Sequence, residues 1–236
     1  MKNITLLALD TSTEACSVAL WHKGEKTYLD ELAQRTHTKR ILPMVDELLA
    51  NSGINLKQVD VLAFGRGPGS FTGVRVGAGI AQGLALGADL PVIAVSNLTA
   101  MAQAAFELHQ AENVAAAIDA RMNEVYFSQV KREKVRSELG EFFQWNFIIE
   151  EQVCQPEKVL KQLSDLTAHR VGTGWAAYPQ FKENGLEGGD IILPSAQYIL
   201  DLALTDYAHN KIISALEIEP VYLRNEVTWK KLPGRE

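Results

Sequence analysis

GRGPGSFTGVRVG, residues 65–77, lies between a run of apolar residues and a long, nearly uncharged segment, and its reading decides the fold. A Walker phosphate loop requires GxxxxGK[ST], so that backbone N–H groups cradle the phosphates and a lysine reaches their oxygens. Gly67 and Gly73 stand near that spacing, but Val74 occupies the lysine position. The dinucleotide fingerprint GxGxxG fails as well, because Ser70 stands where the third glycine belongs and Pro68 stiffens the turn. What these residues do specify is a strand-to-helix junction. VDVLAFG (59–65) reads as a strand, Pro68-Gly69 as a turn, and Ser70 or Thr72 as the cap of a helix over 72–87. A helix N-terminus attracts anions, so a phosphate or carboxylate visiting it stays open.

Between Gly73 and Ala88 the one formal charge is Arg75. On a helical wheel Val76, Ile80 and Leu84 form an apolar stripe flanked by Gly73, Gly77 and Ala81, while Gly79, Gly83 and Gly87 line another side. Each interior glycine costs about 0.5–1 kcal/mol against alanine, so the pattern predicts close packing on more than one face. Two readings follow: burial within the chain's own fold, or a glycine and alanine face, rimmed by Arg75, Gln82 and Leu86, that meets another subunit.

Outward from this stretch, ITLLALD (4–10), CSVALW (16–21) and KTYLDEL (26–32) read as strands, and 38–52 as a helix with Ile41, Val45, Leu48 and Leu49 on one face. PVIAV (91–95) is a strand, and Ser96 caps a helix to about 108. The second half echoes that order: strands at 114–120, 124–130 and 143–150, a helix at 156–164, a strand at 169–174 and a helix at 195–208. Two βββαβα halves predict a duplicated, two-lobed α/β protein with a cleft, the N-terminal lobe at 1–105 and a smaller one at 106–236. The 236 residues are 47% hydrophobic and carry a net charge of −6, so no global positive field draws the chain onto a polyphosphate backbone. Cys16 and Cys154 have neither disulfide nor zinc-ligand spacing and read as buried thiols in a reducing compartment. The apolar run at the N-terminus is cut by Asp10, too short for a secretory signal or a membrane span, which predicts a soluble, cytoplasmic protein.

Asp10-Thr11-Ser12-Thr13 falls where the actin, hexokinase and Hsp70 superfamily places its first phosphate loop. The segment could hold Mg²⁺ and phosphate, or simply satisfy a hairpin turn. The matching second loop is Asp119 to Glu124, where Ala120-Arg121 replaces the Asp-x-Gly that lets backbone approach a phosphate; Arg121 either pairs an anion or rebuilds the loop. Gly172 and Gly174 stand where an adenosine-contacting turn would fall. His37 lacks the i+4 histidine of a helical metal pair, since residue 41 is isoleucine. No nucleophilic triad is discernible in the spacing of the five histidines. An ATP-binding kinase or ATPase of that superfamily is the rival reading, and a metallopeptidase-like protein requires a ligand set that the sequence does not offer.

GRGPGSFTGVRVG, taken with LALDTST (7–13), RTHTKRILP (35–43), IDARMNEVYF (118–127) and EPVYLRNEV (219–227), resembles the TsaB (YeaZ) family over nearly the whole chain. The resemblance implies an actin-like, ribonuclease-H-like (ASKHA superfamily) two-lobed fold. It also implies a non-catalytic subunit without cofactor or metal that binds a TsaD-type paralogue and a TsaE-type ATPase. That complex forms threonylcarbamoyladenosine at the tRNA adenosine beside the anticodon, so tRNA is met only indirectly and no membrane is involved. The paralogue's helical histidine pair is reduced here to His37. In that family the N-terminal lobe's helices make the heterodimer, and the homodimer when the protein is alone. This implies partner contacts at Met44, Leu48, Arg75, Ala78, Gly79, Gln82, Gly83 and Leu86, and leaves Asp10, Thr11, Ser12, Thr13, Asp119, Arg121, Gly172 and Gly174 as a degenerate nucleotide cleft.

Overall fold

The structure, a computed structural model, describes residues 4–33, 36–137, 140–163 and 165–224. Its first sheet starts from strands apolar enough to be buried on both faces. β1 (Leu6–Asp10) and β4 (Val61–Gly65) are buried along their whole length. β1 pairs antiparallel with β2 (Ala15–His22), which pairs antiparallel with β3 (Glu25–Leu32), an edge strand bearing charged residues. β4 lies parallel to β1 and β5 (Val92–Val95) parallel to β4, giving the order β3-β2-β1-β4-β5. Helices α1 (His37–Asn51) and α2 (Phe71–Ala88) cover one face, where Leu7, Leu9, Leu20, Ile41, Phe64 and Ala81 form a shared core. Helix α3 (Asn97–His109) follows β5.

The second sheet repeats the first four strands of that order, without a counterpart of β5 among the described residues. β6 (Asn113–Asp119) pairs antiparallel with β7 (Val125–Ser137), β7 with β8 (Gly140–Cys154), and β9 (His169–Val171) lies parallel to β6, in the order β8-β7-β6-β9. On one face Leu98, Met101 and Ala105 of α3 pack against Val114, Ala116 and Val130. On the other, α4 (Pro156–Gln162), α5 (Gly174–Ala177) and α6 (Pro179–Glu183) enclose Phe127, Trp175 and Phe181.

The strand read at 169–174 ends at Val171, with Gly174 opening α5 and α6 following it, and two larger features also differ from the sequence reading. Strands β7 and β8 extend well beyond 124–130 and 143–150, through the charged run KREKVRS, because Lys134 and Arg136 pair with Glu141 across the hairpin. The chain beyond residue 195, assigned by its order to the second lobe, returns to the first. Helix α7 (Ala196–Ala208) lays Ala196, Ile199, Leu200 and Ala203 against Leu6, Ala8, Ala63 and Ile93 on the face opposite α1 and α2. Farther on, Ile213 bridges Val92 and the Val221 N–H donates to the Arg66 carbonyl at 2.9 Å. The face of a fully apolar central strand must be covered, and the segment that covers it need not be near in sequence.

Candidate functional site

The junction at residues 65–73 explains its glycines by contact with the β1–β2 turn. Ser70 caps α2, its Oγ accepting the Gly73 N–H at 3.0 Å, while the Ser70 N–H donates to the Ser12 carbonyl at 2.7 Å. A Cβ on Gly69 would sit 2.4 Å from the Ser12 carbonyl oxygen, one on Gly73 2.2 Å from that of Thr11, and one on Gly77 2.9 Å from Thr11 Oγ1. Thr11 Oγ1 donates to the Gly73 carbonyl at 2.8 Å. The glycine loop and the start of α2 therefore lie directly on Thr11 and Ser12 of the β1–β2 turn.

Asp10 is wholly enclosed. Its Oδ1 accepts from Asn97 Nδ2 at 2.7 Å and its Oδ2 from Ser12 Oγ at 3.0 Å and the Ser12 N–H at 3.4 Å. Asn97 also donates to Ser12 Oγ at 2.8 Å, and its Oδ1 accepts the Gly67 N–H at 2.7 Å. Burial pushes the Asp10 carboxyl up to about 7 against the opposing pull of these hydrogen bonds. An acid held in this way is the hub of an internal network and does not present its charge to solvent. Sequence reasoning missed Asn97, because its partners Asp10 and Ser12 are 87 and 85 residues away.

The second turn is satisfied internally as well. Asp119 Oδ1 accepts the Arg121 N–H at 2.9 Å and the Tyr178 hydroxyl at 2.8 Å, and the Asp119 N–H donates to Thr173 Oγ1 at 3.0 Å. Arg121, Met122 and Asn123 all take the left-handed conformation, so the turn is made by three successive non-glycine residues. Gly172 and Gly174 serve packing: a Cβ on either would fall within about 3 Å of the Ala117 backbone. A cavity of about 520 Å³ remains between the lobes, and Thr13, His37, Ser70 and Arg121 line it. Of the expected cleft residues, Thr13 and Arg121 thus share a cavity, whereas Asp10, Thr11 and Ser12 are buried beneath it.

Helix α2 separates into distinct sides. Val74, Ala78, Ala81 and Ala85 face the interior. The expected contacts Met44, Leu48 and Ala78 are corrected here: at 0%, 3% and 5% exposure they belong to the chain's own core, because both helices need those residues to cover the sheet. Gln82 is half-committed, its Nε2 donating to the Ala215 carbonyl at 3.0 Å. Arg75, Gly79, Gly83 and Leu86 are exposed, and a Cβ added at Gly79, Gly83 or Gly87 would meet nothing within 4 Å. At one end of this row Arg75 is held by the chain's own aromatic residues. Its guanidinium lies 3.3 Å from the Phe71 ring centroid and its Nε donates to the Tyr222 hydroxyl at 2.8 Å. At the other end Leu86 borders an apolar groove with Pro91, Ile212 and Leu216. Residue 35 of the RTHTKRILP stretch and residues 225–227 of EPVYLRNEV lie outside the described residues.

Two sheets that repeat one strand order, with a buried acidic turn opening the first, define a duplicated actin-like α/β protein of the ASKHA type. The model of the family described as tRNA N6-adenosine threonylcarbamoyltransferase (TsaD) matches residues 26–197. The TsaB protein of Haemophilus influenzae, described as a tRNA threonylcarbamoyladenosine biosynthesis protein, is 77% identical over the full length of both chains. That of Escherichia coli K12 is 50% identical, over 98% of this chain and 99% of its own. The solved structure of YeaZ from Pseudomonas aeruginosa superposes with a TM-score of 0.79 at 41% identity, covering 92% of this chain and all of that one. The chain belongs to the TsaB (YeaZ) family.

Proposed function

We propose that this chain serves tRNA threonylcarbamoyladenosine biosynthesis as a non-catalytic scaffold that holds a TsaD-type paralogue in a productive conformation, in an assembly with a TsaE-type ATPase. The carrying observation is the row Gly79, Gly83 and Gly87, bare and open to solvent on a helix whose other glycines are filled by the chain itself. Three exposed helical glycines together cost about 1.5–3 kcal/mol relative to alanine, and no packing within the described residues offsets that. A partner helix lying across the row would, because the missing side chains let two backbones approach. Arg75 and Leu86 flank the row as polar and apolar anchors. The same face serves the homodimer when the paralogue is absent, and tRNA is bound through the complex. The enclosed Asp10 supports the non-catalytic reading, since its oxygens are already occupied by Asn97 and Ser12 and are not free to hold a cation.

Gly83→Trp, which fills the open face without touching the core, is expected to lower co-purification with the TsaD-type paralogue at least about tenfold while leaving thermal unfolding of the isolated chain nearly unchanged. Undiminished complex formation would move the interface elsewhere. Calorimetry with Mg-ATP addresses the rival kinase reading: micromolar binding with turnover, lost in Asp10→Ala, would establish it.

A further inference from the structure

We propose that His109, His169 and Asp190 form a binding site for a divalent transition-metal ion of the zinc type, away from the interlobe cavity and from the glycine row. Their candidate ligand atoms all lie within 4.8 Å of one another. The three residues come from separate elements. His109 is the last residue of α3, His169 the first of β9, and Asp190 follows Gly188-Gly189 in the loop that returns toward β9. His109 Nε2 already stands 2.8 and 3.1 Å from the two Asp190 oxygens, and the two imidazoles stack with centroids 4.9 Å apart.

Tetrahedral zinc holds nitrogen and oxygen ligands at about 2.0–2.2 Å, which sets neighbouring ligand atoms about 3–3.5 Å apart. The His109–Asp190 pair meets that spacing at 3.1 Å, and the His169 ligand atom lies within 4.8 Å of both. An ion pair between His109 and Asp190 would account for two of the residues but not for the third. His169 Nε2 is buried and has no hydrogen-bond partner among the described residues, a state it shares with the Nε2 atoms of His22, His37 and His209, but it alone of the four lies beside a second imidazole and a carboxylate. Burial, aided by neighbouring His109 and opposed by Asp190, lowers the His169 pKa, the direction that favours the neutral imidazole a metal binds. The loop approaches closely, since a Cβ on Gly189 would lie 2.9 Å from the Arg170 carbonyl oxygen and 3.4 Å from His169 Nε2.

Two imidazoles and one carboxylate suit Zn²⁺, Co²⁺ or Ni²⁺ and discriminate against Mg²⁺ and Ca²⁺, which prefer all-oxygen sets. The ion takes the place of the proton between His109 Nε2 and Asp190, that nitrogen's proton passing to Nδ1, and leaves a fourth position for water. Bound there, it staples the end of α3, the helix packed between the sheets, to the edge of the second sheet.

The test uses the full chain without a histidine tag, stripped with chelator and titrated with ZnCl₂, with CoCl₂ and, as a control, with MgCl₂. Saturable 1:1 Zn²⁺ binding, a raised unfolding temperature and the visible absorption of tetrahedral Co²⁺ are expected, each weakened at least about tenfold in His169→Ala and in the solvent-facing variant His109→Ala. Absence of saturable binding up to about 1 mM Zn²⁺, or binding undiminished by His169→Ala, overturns the site. Circular dichroism of both variants confirms that lost binding is not lost folding.

Discussion

Asp10 shows how a residue type can be legible while its use is not. An aspartate at the end of the first strand, followed by three hydroxyl-bearing residues, is visible in the sequence, but nothing local reveals that Asn97 closes over it. The consequence is a pH dependence of definite sign. In the folded chain Asp10 keeps its proton up to about pH 7, whereas unfolded it would lose it near the ordinary value of 3.8. The folded state therefore binds the extra proton between those values, so this contribution is complete below pH 4 and is lost as the pH rises through 7. Asp10→Asn stays neutral throughout. The stability of Asp10→Asn relative to wild type is expected to rise by as much as about 4 kcal/mol between pH 4 and pH 8, then level off. Urea unfolding across that range measures it, and a difference flat in pH would refute the enclosed, protonated acid. Asp201, also pushed up to about 7 by burial and by Glu107, is present in both proteins and cancels in the comparison.

At the scale of the element, α2 carries two kinds of glycine that the helical wheel separates by angle but cannot separate by purpose. Gly73 is filled by the Thr11 carbonyl, whereas Gly79 faces open space. The same substitution must then act in opposite directions. Gly73→Ala is expected to destabilise the chain by about 2 kcal/mol or more, since the Thr11 backbone must shift. Gly79→Ala is expected to stabilise it by about 0.5–1 kcal/mol through helix propensity. Equal signs in denaturant unfolding would remove the distinction on which the proposed partner face rests. Strand pairing was legible to the same uneven degree. β1, β2 and β4 announce themselves by apolar runs, while the outer part of β7, Lys131 to Arg136, is charged on both faces and becomes a strand only because it pairs with the aromatic-rich start of β8.

At the scale of the molecule, the lobes are joined by contacts between residues far apart in the chain. Arg66, leaving β4, donates to Glu151 of β8 at 2.8 Å, and Ser96 at the start of α3 donates to the same carboxylate. Glu151 is 9% exposed as a side chain and Arg66 22%, so removing one partner leaves a poorly solvated charge. Glu151→Ala is expected to cost about 3 kcal/mol in unfolding free energy, and Arg66→Met with Glu151→Leu to recover most of it. No recovery in the double variant would mean that the ion pair is not what couples the lobes there.

By itself the sequence determined the order of the longer elements, the capping of α3 by Ser96 and of α2 by one of two hydroxyls, of which Ser70 is the one used, the two buried thiols and the near-duplication of the halves. Each of these depends on neighbours a few residues apart, where periodicity and capping chemistry operate. Tertiary structure alone decided that the glycine loop fills the Asp10 turn, that Met44, Leu48 and Ala78 face inward, and that α7 crosses back to the first sheet. Those outcomes depend on which surfaces meet once the sheets form, and burial of an apolar face selects its cover by shape and distance in space, with no local pattern to record the choice.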